Sequence, residues 1–143
     1  MATTTSESPE QTRQIAARFA AHLPPACVVA VSGELGAGKT HFIQGAARAL
    51  GFADTVTSPT FTLVHEYPTP QGPIFHVDLY RIASPIEAAS LGLDETFAAG
   101  RATFIEWPER LGPDLPDDAL RVHIRIAGDT RREIDLPTPL ARP

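Results

Sequence analysis

The stretch "SGELGAGKTHF", residues 32–42, contains the only lysine of a chain that has eleven arginines. It fits the spacing G-x-x-x-x-G-K-[ST] without a gap, from Gly33 through Gly38 to Lys39 and Thr40. A loop that wraps around a phosphate must aim successive backbone N–H groups inward, and glycines permit both the backbone angles and the close approach. The pattern therefore predicts a phosphate-binding loop.

The segments on either side of the loop fit the same interpretation. "ACVVAVSG", residues 26–33, is short, apolar and β-branched, which predicts a fully buried strand. A helix is expected from Lys39 to about Leu50, stopped by Gly51, with its positive N-terminus at the phosphates. Lys39 would reach the β- and γ-phosphates, and the Thr40 hydroxyl would ligate Mg²⁺. The alternative is a plain glycine turn, but a single compact ammonium at this position favours phosphate binding.

Length and composition predict one domain. With 143 residues, 43% hydrophobic and 20% charged, we expect residues 1–143 to form a single P-loop domain with a flexible tail at 136–143. The longest apolar run is too short to cross a bilayer, and the N-terminus lacks a secretory pattern, so a cytoplasmic protein without membrane contact is expected. Cys27 is expected to be a buried, inert thiol. The net charge of -5 argues against nucleic-acid binding as the main function.

The other segments predict a mixed sheet covered by helices. An amphipathic helix is expected over residues 8–22, with Ser8 as N-cap and Pro9 at the first helical position. Residues 55–67 and 73–81 predict a β-hairpin across a turn rich in Pro and Gly. The further expected elements are a short helix begun by Ser84, a strand at 101–107, a loop at 108–118 and a second hairpin over 119–136.

Two carboxylates are candidates for the metal. A P-loop protein needs an acid at the end of a neighbouring strand to hold the ion, directly or through water. Asp78 ends the apolar segment "PIFHVD", and Glu106 ends "ATFIE". Either strand could lie beside residues 28–31, so the residues alone leave the choice between the two acids open.

Three further features have competing interpretations. The hydroxyl-rich segment "TVTSPTFT", residues 55–62, is either a switch that responds to the γ-phosphate or a plain turn at Pro59. Trp107, which follows Glu106, is either a site residue or an aromatic of the core or rim. His65 and His76 are expected on a sheet face, because no Cys or third ligand completes a metal site.

The ordered motifs "GELGAGKT", "SPTFTLVHEY", "HVDLYR", "LGLDE" and "IEWPER" resemble those of the TsaE family, also called YjeE. The resemblance spans residues 8–126 and implies a three-layer α/β P-loop NTPase fold with a mixed parallel and antiparallel sheet. It implies a Mg²⁺-dependent ATPase, weak alone, that is required for threonylcarbamoyladenosine (t6A) modification beside the anticodon of tRNAs reading codons that begin with A. The implied partner is a TsaB–TsaD heterodimer, with tRNA contacted only through that complex and the chain alone a monomer.

The same resemblance implies roles for individual residues. Glu106 would be the metal ligand beside Thr40, Asp78 would lie near the metal and the attacking water, and Trp107 would lie at the nucleotide. Thr60, in "SPTF", would respond to the γ-phosphate, and Lys39 completes this catalytic set. The ATP phosphates would be held by Gly33, Leu35, Gly36, Ala37, Gly38, Lys39 and Thr40. The adenine would be flanked by residues 8–11 and the region after Gly128.

Other functions are compatible with a P-loop. A small-molecule kinase would use the same loop but needs an acceptor pocket and usually an arginine-bearing lid. No obvious lid insertion is formed by Arg101, Arg110, Arg131 and Arg132. A GTPase is disfavoured, because no N-K-x-D segment can exist in a chain with one lysine at residue 39. A binding module whose nucleotide only sets its conformation is a third alternative.

Overall fold

The structure, a computed structural model, describes residues 2–53 and 63–137. The described residues leave out positions 1, 54–62 and 138–143. Three predictions therefore lie outside them, in whole or in part: Thr60, the hydroxyl-rich segment 55–62, and the predicted tail from residue 138 onward. The strands are β1 (Ala2–Ser6), β2 (Cys27–Ser32), β3 (Val64–Tyr67), β4 (Ile74–Asp78), β5 (Ala102–Glu106), β6 (Leu120–Ile126) and β7 (Arg132–Leu136). The helices are α1 (Pro9–Ala20), α2 (Lys39–Ala49), α3 (Pro85–Ala89) and α4 (Leu93–Ala99), and a 3₁₀ helix spans Pro108–Asp114.

The strands form one seven-stranded mixed sheet in the order β1-β7-β6-β2-β5-β4-β3. The central strand β2 is parallel to both β5 and β6, and β4 is parallel to β5. The outer pairs β1–β7, β6–β7 and β3–β4 are antiparallel. The predicted mixed sheet and the second predicted hairpin are therefore confirmed, and the first hairpin is confirmed over its described residues, where β3 pairs with β4. Among the described residues no helix is long and apolar enough to span a bilayer.

Serine caps begin two of the helices as the sequence predicts. The Ser8 hydroxyl accepts a hydrogen bond from the Gln11 backbone N–H at 3.1 Å, with Pro9 in the first turn of α1. The Ser84 hydroxyl accepts in the same way from Glu87 at 3.3 Å at the start of α3. These local hydrogen bonds fix where each helix starts before any tertiary packing is considered.

Two hydrophobic layers cover the sheet. On one face, α1 and α2 pack against the strands, and the buried rings of Phe19 and Phe42 lie 5.7 Å apart between their centroids. On the other face, Val77 and Ile105 pack with the region of α3 and α4. The result is the three-layer α/β architecture expected from the sequence.

Several details differ from the sequence predictions. The tail prediction is wrong at Leu136, which pairs with Ala2 and is buried at the end of β7. Cys27 is only half-buried, although burial raises the pKa of its thiol and so disfavours the reactive thiolate. Three elements were not predicted: β1, because its threonines show no apolar alternation; α4, because it is too short to show helical periodicity; and the 3₁₀ helix, because prolines read as loop.

Gly45 allows α1 and α2 to cross closely. A Cβ atom placed on Gly45 would lie 2.1 Å from the carbonyl oxygen of Arg13 in α1, which is backbone and cannot swing away. The contact between the two helices therefore depends on the absence of a side chain at residue 45.

We expect Gly45→Ala to lower the free energy of unfolding by about 2 kcal/mol or more, because overpacking a close contact typically costs about 1–3 kcal/mol. Urea denaturation measures this value. Gly128→Ala is the matched control, since a Cβ there would make only an ordinary 3.6 Å contact with the Arg131 side chain. Equal stability of the two variants would contradict the close crossing.

Candidate functional site

Three parallel strands end side by side at the loop of residues 33–38. β2 leads into the loop, and its residue Val31 pairs with Glu106 of β5, which in turn pairs with Asp78 of β4. Carboxyl ends of parallel strands meet at one sheet edge, where crevices for ligands form. Both candidate acids are therefore brought to the loop, and β5, rather than β4, is the strand that adjoins β2.

The loop has glycine at the positions where its backbone requires it. A Cβ on Gly33 would lie 2.6 Å from the Ile124 carbonyl oxygen, so the loop can pass β6 only without a side chain there. Gly38 has φ 102° and precedes α2, and no side chain caps this helix, unlike α1 and α3. The start of α2 lines the cavity described below, which is the arrangement that favours a bound anion.

Lys39 is a buried cation inside the loop. Its ammonium donates hydrogen bonds to the carbonyl oxygens of Gly33 and of Glu34, the latter at 3.3 Å, and lies 3.9 Å from the centroid of the Trp107 ring. Only 5% of Lys39 is exposed. Burial lowers the pKa of the ammonium, and the nearby Glu106 carboxylate opposes that change. The loop thus concentrates positive charge where a phosphate group could enter.

Trp107 has a backbone conformation that is rare for a residue with a side chain. Its φ of 60° and ψ of 51° lie in the left-handed region, which costs of the order of 1 kcal/mol. Its half-buried indole packs against Lys39 on one side and contacts the Tyr80 ring, with centroids 5.1 Å apart. The side chain lines the cavity, so this strained turn directs an aromatic surface at the site.

The two acids have different surroundings. Asp78 is half-buried and accepts a hydrogen bond from the Tyr80 backbone N–H at 3.0 Å. Burial raises the pKa of its carboxyl, and the neighbouring Glu106 carboxylate adds to the rise. Glu106 is only 4% exposed and contacts the imidazole of His76 at 2.6 Å. Asp78 is therefore suited to exchange a proton, whereas the buried contact with His76 holds the Glu106 side chain in one position.

The phosphate-binding loop from Leu35 onward, the two acids and Trp107 line one cavity of about 380 Å³. Residues 35–41 form its floor, and Asp78, Glu106 and Trp107 line it together with Tyr80. Two segments from the ends of the chain also line it, contributing Ser8, Pro9, Thr12, Asp129, Thr130 and Arg132. The structure thus brings together the loop, the two acids and both segments that the resemblance assigned to the adenine.

Arg132 is a site residue that sequence reasoning missed. Its guanidinium donates to the carbonyl oxygens of Ala37 at 3.1 Å and Gly36 at 3.3 Å, and also to that of Gly128 at 2.9 Å. The side chain therefore ties the β6–β7 turn to the loop. The local sequence gave no indication of this contact. The contact depends on the pairing of β6 with β2, and the sequence of the hairpin alone does not determine which strand lies beside it.

The donor atoms in the cavity are suited to a hard cation. The Thr40 hydroxyl and the carboxylates of Asp78 and Glu106 are oxygen ligands of the kind that Mg²⁺ prefers. Within residues 2–53 and 63–137, no group of three or more His, Cys, Asp or Glu side chains could hold an ion by itself. Magnesium sites that take one or two carboxylates complete their coordination with phosphate oxygens and water, so these residues fit an ion that arrives with a nucleotide.

Comparisons with known proteins agree on one family. Residues 6–134 match the family model for "Threonylcarbamoyl adenosine biosynthesis protein TsaE". A tRNA threonylcarbamoyladenosine biosynthesis protein TsaE of Bacillus subtilis is 42% identical over 89% of this chain and 79% of its own length. Its counterpart in Rickettsia bellii is 40% identical over 87% of each chain. The crystal structure of Bacillus subtilis YdiB aligns with a TM-score of 0.77 and 34% identity, over 97% of this chain and 88% of that chain.

We expect Asp78→Asn to raise the melting temperature of the metal-free protein at neutral pH. The raised pKa of Asp78 means that ionising this carboxyl destabilises the folded state, and the amide removes the charge while keeping the oxygen that bonds to Tyr80. The gain should be absent below the ordinary pKa of about 4 and grow as the pH rises through the raised folded-state value. Thermal unfolding followed by circular dichroism from pH 4 to 8 measures it.

Asp135→Asn is the matched control, for which the change in melting temperature should have the opposite sign. Hydrogen bonds from Arg125 and Thr3 lower the pKa of Asp135, so its ionised form stabilises the folded state at neutral pH. The amide at residue 135 should therefore lower the melting temperature at pH 7. A lower melting temperature for both variants would contradict the assignment of Asp78.

Proposed function

Because the chain belongs to the TsaE family, we propose that it is a Mg²⁺-dependent ATPase that serves threonylcarbamoyladenosine biosynthesis in tRNA. The fold is a P-loop nucleotide-binding fold, and the family name gives the biosynthetic process. The observation that carries the proposal is the row of Val31, Glu106 and Asp78 beside the loop that ends in Lys39 and Thr40. A cavity that combines a buried ammonium, a helix start without a side-chain cap and two carboxylates is suited to bind phosphate groups together with a cation.

The loop would hold the phosphates of ATP. Its backbone N–H groups and the start of α2 supply fixed partial positive charge, and Lys39 adds a full one. The phosphates would replace the carbonyl oxygens of Gly33 and Glu34 as partners of the ammonium. The other loop residues assigned to phosphate binding would be Leu35, Gly36, Ala37 and Gly38.

Thr40 and Glu106 would hold Mg²⁺, with Asp78 supporting them. An ion held there would supply positive charge that offsets the negative charge of the phosphates. Asp78, whose pKa burial raises, would orient the attacking water and accept its proton. Trp107 would close the site beside Lys39, and Thr60, which lies outside the described residues, would respond to the γ-phosphate.

The adenine would lie between the two ends of the chain. Thr12 and the start of α1 form one wall of the cavity, and Asp129 and Thr130 in the β6–β7 turn form another. These walls are polar or small, which leaves room for a flat base.

A partner would complete the catalytic site. Arg132 is the only arginine lining the cavity within the described part of the chain, and its guanidinium is bonded to loop carbonyl oxygens. An arginine that stabilises the transferring phosphoryl group can add several orders of magnitude in rate. The chain alone would therefore hydrolyse ATP slowly and be stimulated by the TsaB–TsaD heterodimer, which would hold the tRNA. The net charge of -5 is consistent with an indirect role of tRNA.

The experiment that tests this function measures phosphate release by the chain alone, with TsaB and TsaD, and with tRNA alone. We expect a low rate that rises with the heterodimer and not with tRNA. Full activity of the isolated chain, or stimulation by tRNA but not by the heterodimer, would contradict the proposal. Transfer of phosphate to a small acceptor would instead favour the kinase alternative.

Lys39→Ala should weaken ATP binding by about 10- to 100-fold, the equivalent of a hydrogen bond to a charged group. The fold should be unchanged, because the side chain lines the cavity and not the hydrophobic core. Isothermal titration calorimetry with ATP measures the affinity. Arg48→Ala removes an exposed cation from the same helix and should leave it unchanged. An unaltered affinity in folded Lys39→Ala would contradict the assignment.

Glu106→Gln should raise the Mg²⁺ concentration for half-maximal phosphate release by about tenfold, since a hard cation prefers a charged oxygen ligand. Asp78→Asn should slow hydrolysis with little change in the Mg²⁺ requirement, because its proposed role is with the water. Magnesium titrations of the ATPase rate separate the two effects. Asp114→Asn, at an exposed acid of the 3₁₀ helix, is the control. The reverse order would mean that the two acids have exchanged roles.

A further inference from the structure

A buried hydrogen-bond chain leads to Glu106 from the sheet edge. The Tyr67 hydroxyl lies 3.2 Å from Nδ1 of His76, and Nε2 of His76 lies 2.6 Å from Oε2 of Glu106. His76 is fully buried, and Tyr67 and Glu106 are 6% and 4% exposed. The chain crosses three adjacent strands, β3, β4 and β5, and ends in the cavity wall.

The chemistry of the partners assigns the protons along this chain. An ionised carboxylate only accepts hydrogen bonds, so Nε2 of His76 carries the hydrogen that Glu106 accepts. In the neutral ring, Nδ1 is then an acceptor, and the Tyr67 hydroxyl donates to it. The Nε2–H tautomer of His76 satisfies both contacts, whereas in the other tautomer Nε2 would face the carboxylate without a hydrogen, although the Tyr67 hydroxyl could still accept from Nδ1–H.

The bond to His76 leaves most of the carboxylate free for a ligand. It uses one acceptor site of Oε2, and the remaining acceptor sites of Glu106, which lines the cavity, are left for a group there. A glutamate carboxylate on three rotatable bonds loses entropy when it is held, and a fixed partner supplies that ordering before the ligand arrives. Second-layer hydrogen bonds of this kind typically change metal affinity by about 10- to 100-fold.

We propose that His76 is a positioning residue that holds the Glu106 carboxylate in place for the metal, and that Tyr67 supports His76 through the hydrogen bond at Nδ1. The inference rests on the proposed role of Glu106 as a metal ligand. A merely structural role would require only that the buried carboxylate be paired, whichever group pairs it. The positioning role requires an N–H donor at the place of Nε2.

The first measurement needs neither metal nor nucleotide. Long-range ¹H–¹⁵N correlation spectra of the free protein report which ring nitrogen of each histidine carries hydrogen. We expect the Nε2–H tautomer for His76, assigned by its loss in His76→Gln, and the same tautomer in Tyr67→Phe, because the Glu106 carboxylate still accepts from Nε2–H. An Nδ1–H tautomer of His76 in the unmodified protein would overturn the proposal.

The second measurement titrates Mn²⁺ into protein saturated with a non-hydrolysable ATP analogue and follows free Mn²⁺ by electron paramagnetic resonance. His76→Leu should weaken Mn²⁺ binding by about tenfold or more. His76→Gln, whose amide can donate from nearly the same place, should recover most of that loss, and Tyr67→Phe should show a smaller loss. Binding of the analogue in EDTA, followed by Trp107 fluorescence, should be unchanged in all three.

His65→Gln is the matched control, since His65 lies opposite His76 in register on β3 and contacts the edge of the Tyr67 ring. It should bind Mn²⁺ as the unmodified protein does. Unaltered Mn²⁺ affinity in folded His76→Leu, or equal losses in the Leu and Gln variants, would overturn the proposal. If His76→Leu does not fold, the Gln and Tyr67→Phe variants and the tautomer decide. If Glu106→Gln itself leaves Mn²⁺ affinity unchanged, the proposed metal site fails and the positioning role with it.

Discussion

The register between β2, β5 and β4 aligns Val31, Glu106 and Asp78 in one row at the end of the sheet. A slip of one residue would turn both acids to the opposite face, because side chains alternate along a strand. Val77 and Ile105, which are fully buried against α3 and α4, would then point at the phosphate-binding loop. Hydrophobic burial on both faces therefore holds the charged groups in place.

The charges of the site are arranged so that few of them neutralise each other directly. The Lys39 ammonium is bonded to carbonyl oxygens and covered by an indole, although Glu106 is close enough to affect its pKa. Glu106 is bonded to an imidazole, and Asp78 to a backbone N–H. Such weakly compensated charges are costly to bury, and they retain the capacity to bind a ligand that brings opposite charge.

Local sequence predicted those features that local interactions determine. The serine caps at residues 8 and 84, the start of α2 and both hairpins depend on contacts between residues close in the chain, and each was found. The choice between Asp78 and Glu106 depends on strand order, which no local pattern encodes. His76 was expected on a sheet face, and its bond to Glu106 follows from the pairing of β4 with β5. The contact of Arg132 with the loop was missed for the same reason.

The two walls proposed for the adenine come from nearly opposite ends of the chain, at Ser8 to Thr12 and at Asp129 to Arg132. During synthesis, the last hairpin leaves the ribosome after every other part of the fold, so a nascent chain has the phosphate-binding loop long before it has a complete cavity. Arg132 then reaches the loop only after β7 has docked. Pairing of such distant segments is slow in folding, because the entropy of closing the long loop is lost first. A chain truncated before β7 would carry the phosphate-binding loop without the Arg132 contacts and without a complete cavity.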